Sequence, residues 1–287
     1  MNMKKNKRYI VVTDLDGTLL DHHTYSHEEA QPALQYLLNR HYPIIINTSK
    51  TAEEVAHLQS NLKIDEPFII ENGSAVYLPQ SKIAKQPEGC DSVQVINKQY
   101  WLKSFGARRE HIVKILNELR EKHGWQFEGF SDWTPAHIAE ITGLSQEEAS
   151  LAATREFSEP LLWSGPETEL KNFELSLADN QLHCLRGGRF LHILGQTNKG
   201  KAINWLREFY QTVHQAPVGI IALGDGPNDI DMLDLADIPV LVRSPVHAFP
   251  DIPPSPTLIK TENTGPKGWN EAIQQLIPNF LQEHFCG

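Results

Sequence analysis

Residues 9–21 read YIVVTDLDGTLLD, a short β-branched run that ends at two aspartates, Asp14 and Asp16. Such a run predicts a buried strand, and residues 26–40, which follow, have the apolar spacing of a helix. Because both carboxylates come directly after the strand, we expect them to face one pocket at the carboxyl end of a sheet. Two neighbouring acids in that position favour a bound cation.

The same alternation of strand and helix recurs on both sides of a central segment. Predicted strands cover residues 44–46, 67–70 and 218–223, and predicted helices cover 51–62 and 199–210. Continuous apolar strands that alternate with helices are typical of a parallel sheet covered on both faces. The sequence therefore predicts an α/β, Rossmann-like core.

The alternation changes between about residues 79 and 195. Here the patterns predict helices at 107–123 and 145–155 and strands at 173–178 and 189–194. We interpret this region as an inserted α/β cap domain, which gives a core of residues 1–83 and 196–287 and a cap of residues 84–195. An insertion beyond a strand end is well placed to act as a lid over a reaction.

Composition narrows the possible classes of protein. The chain has 287 residues, of which 40% are hydrophobic and 22% charged, and these values are ordinary for a globular protein. Its net charge of -10 argues against binding to nucleic acid or an anionic membrane, which needs a basic surface. A small anionic substrate remains compatible with that charge, because a few local cations or oriented amides can hold it.

The cysteines and the amino terminus bear on the cellular compartment. Cys90, Cys184 and Cys286 are widely scattered, and this spacing favours neither a disulfide framework nor a zinc site. The basic start, MNMKKNKRYIVV, is followed by too short an apolar run for a signal peptide or a membrane span. We therefore expect a cytoplasmic protein.

A second group of acids follows the predicted strand at 218–223. Asp225 and Asp229 come after it, so they are expected at the same sheet edge as Asp14 and Asp16. Converging carboxylates raise one another's pKa unless a hard cation neutralises them, and ligation by oxygen alone favours Mg²⁺. These four aspartates are the predicted metal ligands.

The histidines do not suggest a zinc site. Among thirteen histidines, His23 and His27 have the HxxxH spacing, but no glutamate stands next to the first of them. We interpret both as surface residues.

Four motifs in order resemble the haloacid dehalogenase superfamily of phosphohydrolases. They are TDLDGTLLD, INTSK, the lysine at 199 in TNKGKA, and GDGPND, and together they bracket the predicted core. The resemblance implies that Asp14 attacks phosphorus and that Asp16 acts as acid and then base. It also implies that Thr48 donates to a phosphoryl oxygen and that Lys199 offsets the charge on the transferred group. Asn228 is expected beside the metal and the substrate.

The predicted cap carries a narrower resemblance. Its place between the second and third motifs is similar to the Cof-like, sugar-phosphatase branch of the superfamily. The stretches TSKT (48–51), REFSEP (155–160) and GGRFLH (187–192) resemble mannosyl-3-phosphoglycerate phosphatases.

This narrower resemblance implies that Ser49, Lys50, Arg155, Gly188 and Arg189 bind the substrate. Arg189 could make a bidentate contact with a glycerate carboxylate. A simple β-turn at the two glycines of GGRFLH and a local ion pair of Arg155 remain open as alternatives.

The main hypothesis is the hydrolysis of mannosyl-3-phosphoglycerate to mannosylglycerate, a compatible solute, and phosphate. Glucosyl-3-phosphoglycerate or another sugar phosphate is the alternative substrate. A sugar phosphomutase would use the same two aspartates. A phosphate-binding or receiver-type module would use only the first, so Asp16 disfavours it.

Overall fold

The computed structural model describes residues 7–277 of the chain. Within them Cys90 and Cys184 are free thiols, and Cys286 lies outside the described residues. The chain forms two compact units. The first unit comprises Met1–Thr48, Ile64–Ile69 and Lys199–Gly287, and the second unit comprises Ser49–Lys63 and Ile70–Asn198. The predicted domain limits at residues 83 and 196 stay predictions, because compactness alone does not identify a functional domain.

Strands and helices alternate along much of the chain. The strands are β1 (Arg8–Thr13), β2 (Ile44–Asn47), β3 (Phe68–Ile70), β4 (Ala75–Pro79), β5 (Asp91–Val95), β6 (Lys98–Ser104), β7 (Phe127–Gly129), β8 (Ser158–Trp163), β9 (Leu182–Gly187), β10 (Phe190–Gly195), β11 (Val218–Gly224), β12 (Ile238–Arg243) and β13 (Ile259–Thr264). The helices are α1 (Gln31–Asn39), α2 (Ala52–Leu62), α3 (Arg109–His123), α4 (Pro135–Thr142), α5 (Gln146–Ala153), α6 (Glu167–Asp179), α7 (Lys199–His214), α8 (Ile230–Asp234) and α9 (Gly265–Leu276).

The first unit is built on a parallel sheet in the order β13-β12-β11-β1-β2-β3. Its central strands are continuous apolar runs, and every residue of β2 and β11 is buried. In the register of the sheet, Thr13 at the end of β1 lies opposite Ile46 on one side and Leu223 on the other. The predicted parallel α/β fold is thus confirmed, and the ends of these three strands lie side by side.

Helices of the first unit pack on this sheet. Helix α7 contacts β11, α8 contacts β11 and β12, and α9 contacts β12 and β13. Trp269 of α9 is fully buried, and its indole N–H donates to the Thr13 hydroxyl at 3.0 Å. The Thr13 hydroxyl in turn donates to the carbonyl of Asp14 at 2.7 Å. This chain of hydrogen bonds ties a covering helix to the end of β1.

Two helix starts illustrate how local sequence sets the elements. The predicted helix at 26–40 begins as a 3₁₀ turn at Glu28–Ala30, and α1 becomes regular from Gln31, with Pro32 in its first turn. Helix α2 begins after Thr51, which forms a capping box with Glu54. The Thr51 hydroxyl accepts from the Glu54 amide, and the Glu54 carboxylate accepts from the Thr51 amide.

The second unit contains two groups of antiparallel strands. One group has the order β4-β6-β5, and a separate four-stranded sheet has the order β7-β8-β10-β9. Helices α3 and α6 contribute apolar side chains to a buried cluster with that separate sheet. Two of the four tryptophans of this unit belong here, since Trp125 is part of the cluster and Trp163 packs against it.

The predicted strand at 173–178 is wrong, because these residues belong to α6. The alternation of Phe173, Leu175 and Leu177 is typical of a strand, in which all three side chains would face one side. In the structure Phe173 and Leu177 are buried together with Leu170, at helical spacings of three and four, while Leu175 is 58% exposed. The helical period therefore describes the burial and the alternation does not.

Candidate active site

The candidate active site lies at the carboxyl end of the parallel sheet. Asp14 follows β1, Thr48 follows β2, and Asp225 follows β11. These strands are neighbours, with β1 between the other two. Parallel α/β sheets bind ligands at this edge, because the chain leaves the sheet there through loops that can carry polar side chains. The predicted convergence of the two aspartate motifs therefore holds.

Three buried aspartates come together in this place. Carboxylate oxygens of Asp14, Asp225 and Asp229 all lie within 4.8 Å of one another. Asp14 is 7% exposed, Asp225 is 6% exposed, and Asp229 is fully buried. Burial, with the charges of the other two aspartates, raises the pKa of Asp14, and burial and the charge of Asp229 raise the pKa of Asp225 to about 6. The arrangement thus concentrates negative charge that needs a cation.

One cation is supplied by the protein itself. The buried ammonium of Lys199 lies 2.6 Å from Oδ1 of Asp14 and 2.6 Å from Oδ1 of Asp229. Burial alone would lower the pKa of Lys199, but the two carboxylates reverse this and raise the pKa above its ordinary value. Lys199 is therefore held charged. One ammonium among three ionised carboxylates still leaves an excess of negative charge, and a hard divalent cation would fit the remaining oxygens.

Asp229 also organises the loop that carries Asp225. Its Oδ2 accepts hydrogen bonds from the amides of Asp225 at 3.1 Å and Gly226 at 3.0 Å. A Cβ on Gly224 would lie 2.5 Å from the Asp229 side chain, so glycine is required at that position. Oδ1 of Asp229 pairs with Lys199, and Oδ2 accepts from two backbone amides. Asp229 therefore orients Lys199 and the loop that carries Asp225.

Two residues of the first motif support Asp225 and were not singled out from sequence. The Thr18 hydroxyl donates to Oδ1 of Asp225 at 3.1 Å. Gly17 has a positive φ of 80°, and a Cβ there would lie 2.7 Å from Oδ2 of Asp225. The signal was present in the tripeptide DGT that begins at Asp16, but only the fold shows that its Gly17 and Thr18 pack against a residue more than two hundred positions away.

Asp16 and Thr48 were predicted for this edge as well. Thr48 is 1% exposed, and its amide donates to the carbonyl of Ile69 at 3.1 Å. Next to it, the Asn47 amide donates to the backbone carbonyl of Lys199 at 3.3 Å and so joins the end of β2 to the start of α7. Asp16 is half-buried and forms an isolated bridge with Leu20. The catalytic roles of both residues, and Asp16 as a metal ligand, stay predictions.

Arg155 of the second unit is held by several groups. Its Nη1 donates to the carbonyl of Ser49 at 3.1 Å and to the Ser158 hydroxyl at 3.0 Å. The Ser158 hydroxyl donates in turn to the buried carboxylate of Glu71 at 2.5 Å. Glu71 also accepts from the amides of Glu156 and Phe157 at 2.9 and 3.1 Å, so it fixes the backbone between Arg155 and Ser158.

The other predicted substrate residues of the second unit have different surroundings. Arg189 is exposed, and its Nη1 donates to the carbonyl of Ile141 at the end of α4. Gly188 has a positive φ of 59° in the turn between β9 and β10, which is the β-turn that the sequence left open. Lys50 lies 3.9 Å from Glu54, and the Ser49 carbonyl accepts from Arg155. Substrate binding by these residues, and by the half-buried Asn228, remains a prediction.

Comparison with known proteins gives the family. The model of the haloacid dehalogenase-like hydrolases matches residues 11–129 and 171–247, which is more than half of the chain. The chain belongs to the haloacid dehalogenase-like hydrolases and is a phosphatase of that superfamily. The buried aspartates 14, 225 and 229 are consistent with the metal site of such an enzyme.

Two relatives are similar to the chain over nearly its whole length, and one solved structure shares its fold. A glucosyl-3-phosphoglycerate/mannosyl-3-phosphoglycerate phosphatase of Methanococcoides burtonii is 37% identical over 94% of this chain and 97% of its own length. A protein of the same name from Persephonella marina is 34% identical over 96% of this chain and 100% of its own length. The structure of a haloalkanoate-superfamily phosphatase from Bacteroides thetaiotaomicron has a TM-score of 0.62 at 19% identity and covers 94% of this chain and 95% of its own. At that identity the structure supports the fold alone.

The described helices were also compared with the length and hydropathy of membrane spans. Among residues 7–277, no helix is both long and apolar enough to cross a membrane.

Proposed function

We propose that this phosphatase hydrolyses a phosphomonoester with the help of Mg²⁺ and through a phosphoryl group carried on Asp14. The observation that carries the proposal is the pairing of the buried Lys199 ammonium with Asp14 and Asp229 at 2.6 Å, next to Asp225. The charge of Lys199 opposes the rise that burial causes in the pKa of Asp14. A bound divalent cation would further favour the ionised carboxylate, which is the form that acts as a nucleophile.

In the first step, a carboxylate oxygen of Asp14 attacks phosphorus and the bond from phosphorus to the leaving oxygen breaks. Asp16 donates a proton to that leaving oxygen, which departs as a hydroxyl group. The Thr48 hydroxyl donates to a phosphoryl oxygen, and the Lys199 ammonium offsets negative charge on the transferred group.

In the second step, water attacks the phosphorus of the acyl phosphate. Asp16, now ionised, takes a proton from that water, and the bond between phosphorus and Asp14 breaks. Inorganic phosphate leaves and both aspartates return to their starting states. The two residues therefore have different roles, and neither is expected to substitute for the other.

Asp14, Asp225 and Asp229 are the clustered residues that would hold Mg²⁺, with Asp16 as a further predicted ligand. Asp229 also orients the loop that carries Asp225. The choice of metal follows from the donor set, since the clustered ligands are all carboxylate oxygens. When bound, the ion would neutralise charge on the phosphoryl oxygens.

Mannosyl-3-phosphoglycerate is the proposed substrate, and the products would be mannosylglycerate and phosphate. The names of both relatives contain both compounds, so they support this substrate and the glucosyl compound alike. The two differ only in hexose stereochemistry, so a few hydrogen bonds decide between them. We propose residues 84–195 as the cap that reads the leaving group, with Arg155, Gly188 and Arg189 among its contacts.

The test is phosphate release by the purified full-length chain with Mg²⁺. Mannosyl-3-phosphoglycerate, glucosyl-3-phosphoglycerate, a simple hexose phosphate and 3-phosphoglycerate are compared, with Asp14→Asn as the blank. We expect the two glycosyl compounds to be preferred over the hexose phosphate and over 3-phosphoglycerate.

The outcomes separate the chemistry from the substrate. Turnover of the hexose phosphate alone would keep the Asp14 mechanism and contradict the glycerate substrate. Full activity in EDTA, with residual metal excluded by elemental analysis, would contradict the metal requirement. Transfer of phosphate to another position of the same sugar, without release, would indicate a mutase.

A further inference from the structure

A buried glutamate outside the four motifs binds the residues around Arg155. Glu71 follows β3 and is fully buried. Its amide donates to the carbonyl of Lys50 at 3.1 Å, next to the Ser49 carbonyl that accepts from Arg155. Its carboxylate accepts from the Ser158 hydroxyl at 2.5 Å, and this hydroxyl accepts from Nη1 of Arg155 at 3.0 Å. Glu71 thus fixes the chain beside both partners of that guanidinium nitrogen.

The hydroxyl of Ser158 has a single hydrogen, and the carboxylate of Glu71 decides where it points. An ionised carboxylate can only accept, so this hydrogen lies toward Glu71 and a lone pair of the hydroxyl oxygen lies toward Arg155. The other two partners of the carboxylate are the amides of Glu156 and Phe157, which also donate. Burial raises the pKa of Glu71, and the charge of Arg155 and these donors oppose the rise. Three donors on one carboxylate match its ionised form.

The backbone that carries this carboxylate is strained. Glu71, Asn72 and Gly73 have φ angles of 46°, 56° and 89°, a left-handed conformation that residues other than glycine rarely adopt. Such strain is common at functional sites and persists only where the surrounding structure fixes it. Here the Ser74 hydroxyl donates to the carbonyl of Glu71 at 2.7 Å. The Thr197 hydroxyl donates to the carbonyl of Gly73 at 2.7 Å, so two side chains hold the strained segment in place.

Arg155 keeps one edge of its guanidinium for another partner. Within residues 7–277, both hydrogen bonds of this side chain come from Nη1. Its Nε is buried and has no hydrogen-bond partner among those residues, although a buried N–H group normally has one. Nε and Nη2 form an edge of the guanidinium that can bind both oxygens of a carboxylate. The glycerate of the proposed substrate carries such a carboxylate.

We propose that Glu71 is a positioning residue, which holds Arg155 through the Ser158 hydroxyl so that the edge formed by Nε and Nη2 binds the glycerate carboxylate. The inference rests on the glycosyl-3-phosphoglycerate substrate proposed above. It gives a buried residue that does not itself touch the substrate a part in the choice of substrate.

The experiment measures kcat and KM of the full-length chain with Mg²⁺, for the preferred glycosyl-3-phosphoglycerate and for a simple hexose phosphate. Ser158→Ala removes the hydroxyl between Glu71 and Arg155, and Glu71→Gln puts an amide that donates where a carboxylate oxygen accepts. Each variant should raise KM for the glycerate compound by about tenfold or more with little change in kcat, because a hydrogen bond to a charged group is lost. The rise in KM for the hexose phosphate, which has no glycerate, should be much smaller.

A double-mutant cycle separates positioning from a general effect on the fold. In an Arg155→Ala background, Ser158→Ala and Glu71→Gln should cause almost no further rise in KM, because the guanidinium through which they act is already absent. Losses from a disturbed fold would instead add to that of Arg155→Ala. Glu88→Gln, at an exposed position, is the matched control and should leave kcat and KM unchanged. Ser158→Ala is the smaller change and carries the test if Glu71→Gln does not fold.

The results distinguish this inference from the proposed function. If the wild type releases phosphate from neither glycosyl compound, the proposed substrate and the inference both fail. If the wild type hydrolyses one of them and Ser158→Ala keeps the wild-type KM, only the role of Glu71 is overturned. A further loss of the same size in the Arg155→Ala background would also overturn it, because Glu71 would then support the fold and would not act through Arg155.

Discussion

The buried charged residues of the first unit and the arginines of the second unit are held in different ways. Lys199 is fixed by other side chains, with Asp14 and Asp229 each at 2.6 Å. Arg189 donates to the backbone carbonyl of Ile141, and Arg155 donates to the backbone carbonyl of Ser49 as well as to the Ser158 hydroxyl. An ion pair between side chains requires particular residues at particular positions. A contact with a backbone carbonyl requires only that the chain passes nearby.

This difference teaches where sequence motifs carry information. A buried lysine between carboxylates tolerates no neutral replacement, because removing either partner leaves a buried charge unpaired. An arginine that contacts a backbone carbonyl can be replaced by another residue in an enzyme that binds a different substrate. We therefore expect the first unit to determine whether the enzyme works and the second unit to determine what it works on.

The largest expected effect tests the first half of that comparison. Asp14→Asn removes the nucleophile and should lower phosphate release by about 10⁴-fold or more, while the circular dichroism spectrum stays that of the wild type. Asp231→Asn, at an exposed position on α8, is the matched control and should keep full activity. Activity of the Asp14 variant within a factor of ten of the wild type would contradict the assignment of the nucleophile.

Lys199→Met should reduce both activity and stability. The variant leaves Asp14 and Asp229 without their shared cation, so we expect a loss of about 10³-fold in phosphate release. The free energy of unfolding, measured with urea in EDTA, should fall by about 3–5 kcal/mol, as for other broken buried ion pairs. Lys201→Met on the exposed side of the same helix is the control. An unchanged unfolding curve for the Lys199 variant would mean that the ion pairs are not formed in solution.

The arginines test the second half of the comparison. Arg155→Ala and Arg189→Ala should each lower kcat/KM for mannosyl-3-phosphoglycerate, by about 100-fold for the half-buried Arg155 and about tenfold for the exposed Arg189. Hydrolysis of a simple hexose phosphate should change little. Equal losses on both substrates would show that the arginines support the fold and do not read the glycerate.

Much of the fold was predictable because burial leaves a strong pattern in sequence. The runs that became β1, β2 and β11 are continuous and apolar, and each ends at a polar residue of the site. The aspartates of the first and last motifs could be named because they follow two of these strands. Thr48 and Lys199 were named from the resemblance of the ordered motifs to the superfamily. The strand predicted at 173–178 failed because Leu175 is apolar yet exposed, and a single apolar residue on the wrong face changes the apparent period.

The supporting contacts of the site could not be read in this way. Two distant residues contact Asp225. Thr18 lies 207 residues before it in the chain, and His247 lies in the loop after the next strand. Neither contact has a local sequence pattern, because each depends on how distant loops meet at the end of the sheet. Glu71 is similar, since its buried carboxylate binds amides at 156 and 157.

The smallest expected effect is a pH dependence of stability in the metal-free protein. Burial and Asp229 raise the pKa of Asp225 from 3.8 to about 6, and the pKa of Asp14 is raised as well. At a pH between the ordinary and the raised pKa of Asp225, the folded protein binds protons that the unfolded chain does not. These groups therefore make the free energy of unfolding increase as the pH falls from about 7 to about 5.

Urea unfolding in EDTA at about pH 7 and about pH 5 measures this change, and Asp225→Asn should make the difference smaller. Saturating Mg²⁺ should reverse it, since metal binding requires ionised carboxylates and so stabilises the folded state more at about pH 7 than at about pH 5. The two opposite slopes would arise from the same buried aspartates. If the slope were identical with and without Mg²⁺, the acids at the end of β1 and β11 would not be the metal ligands.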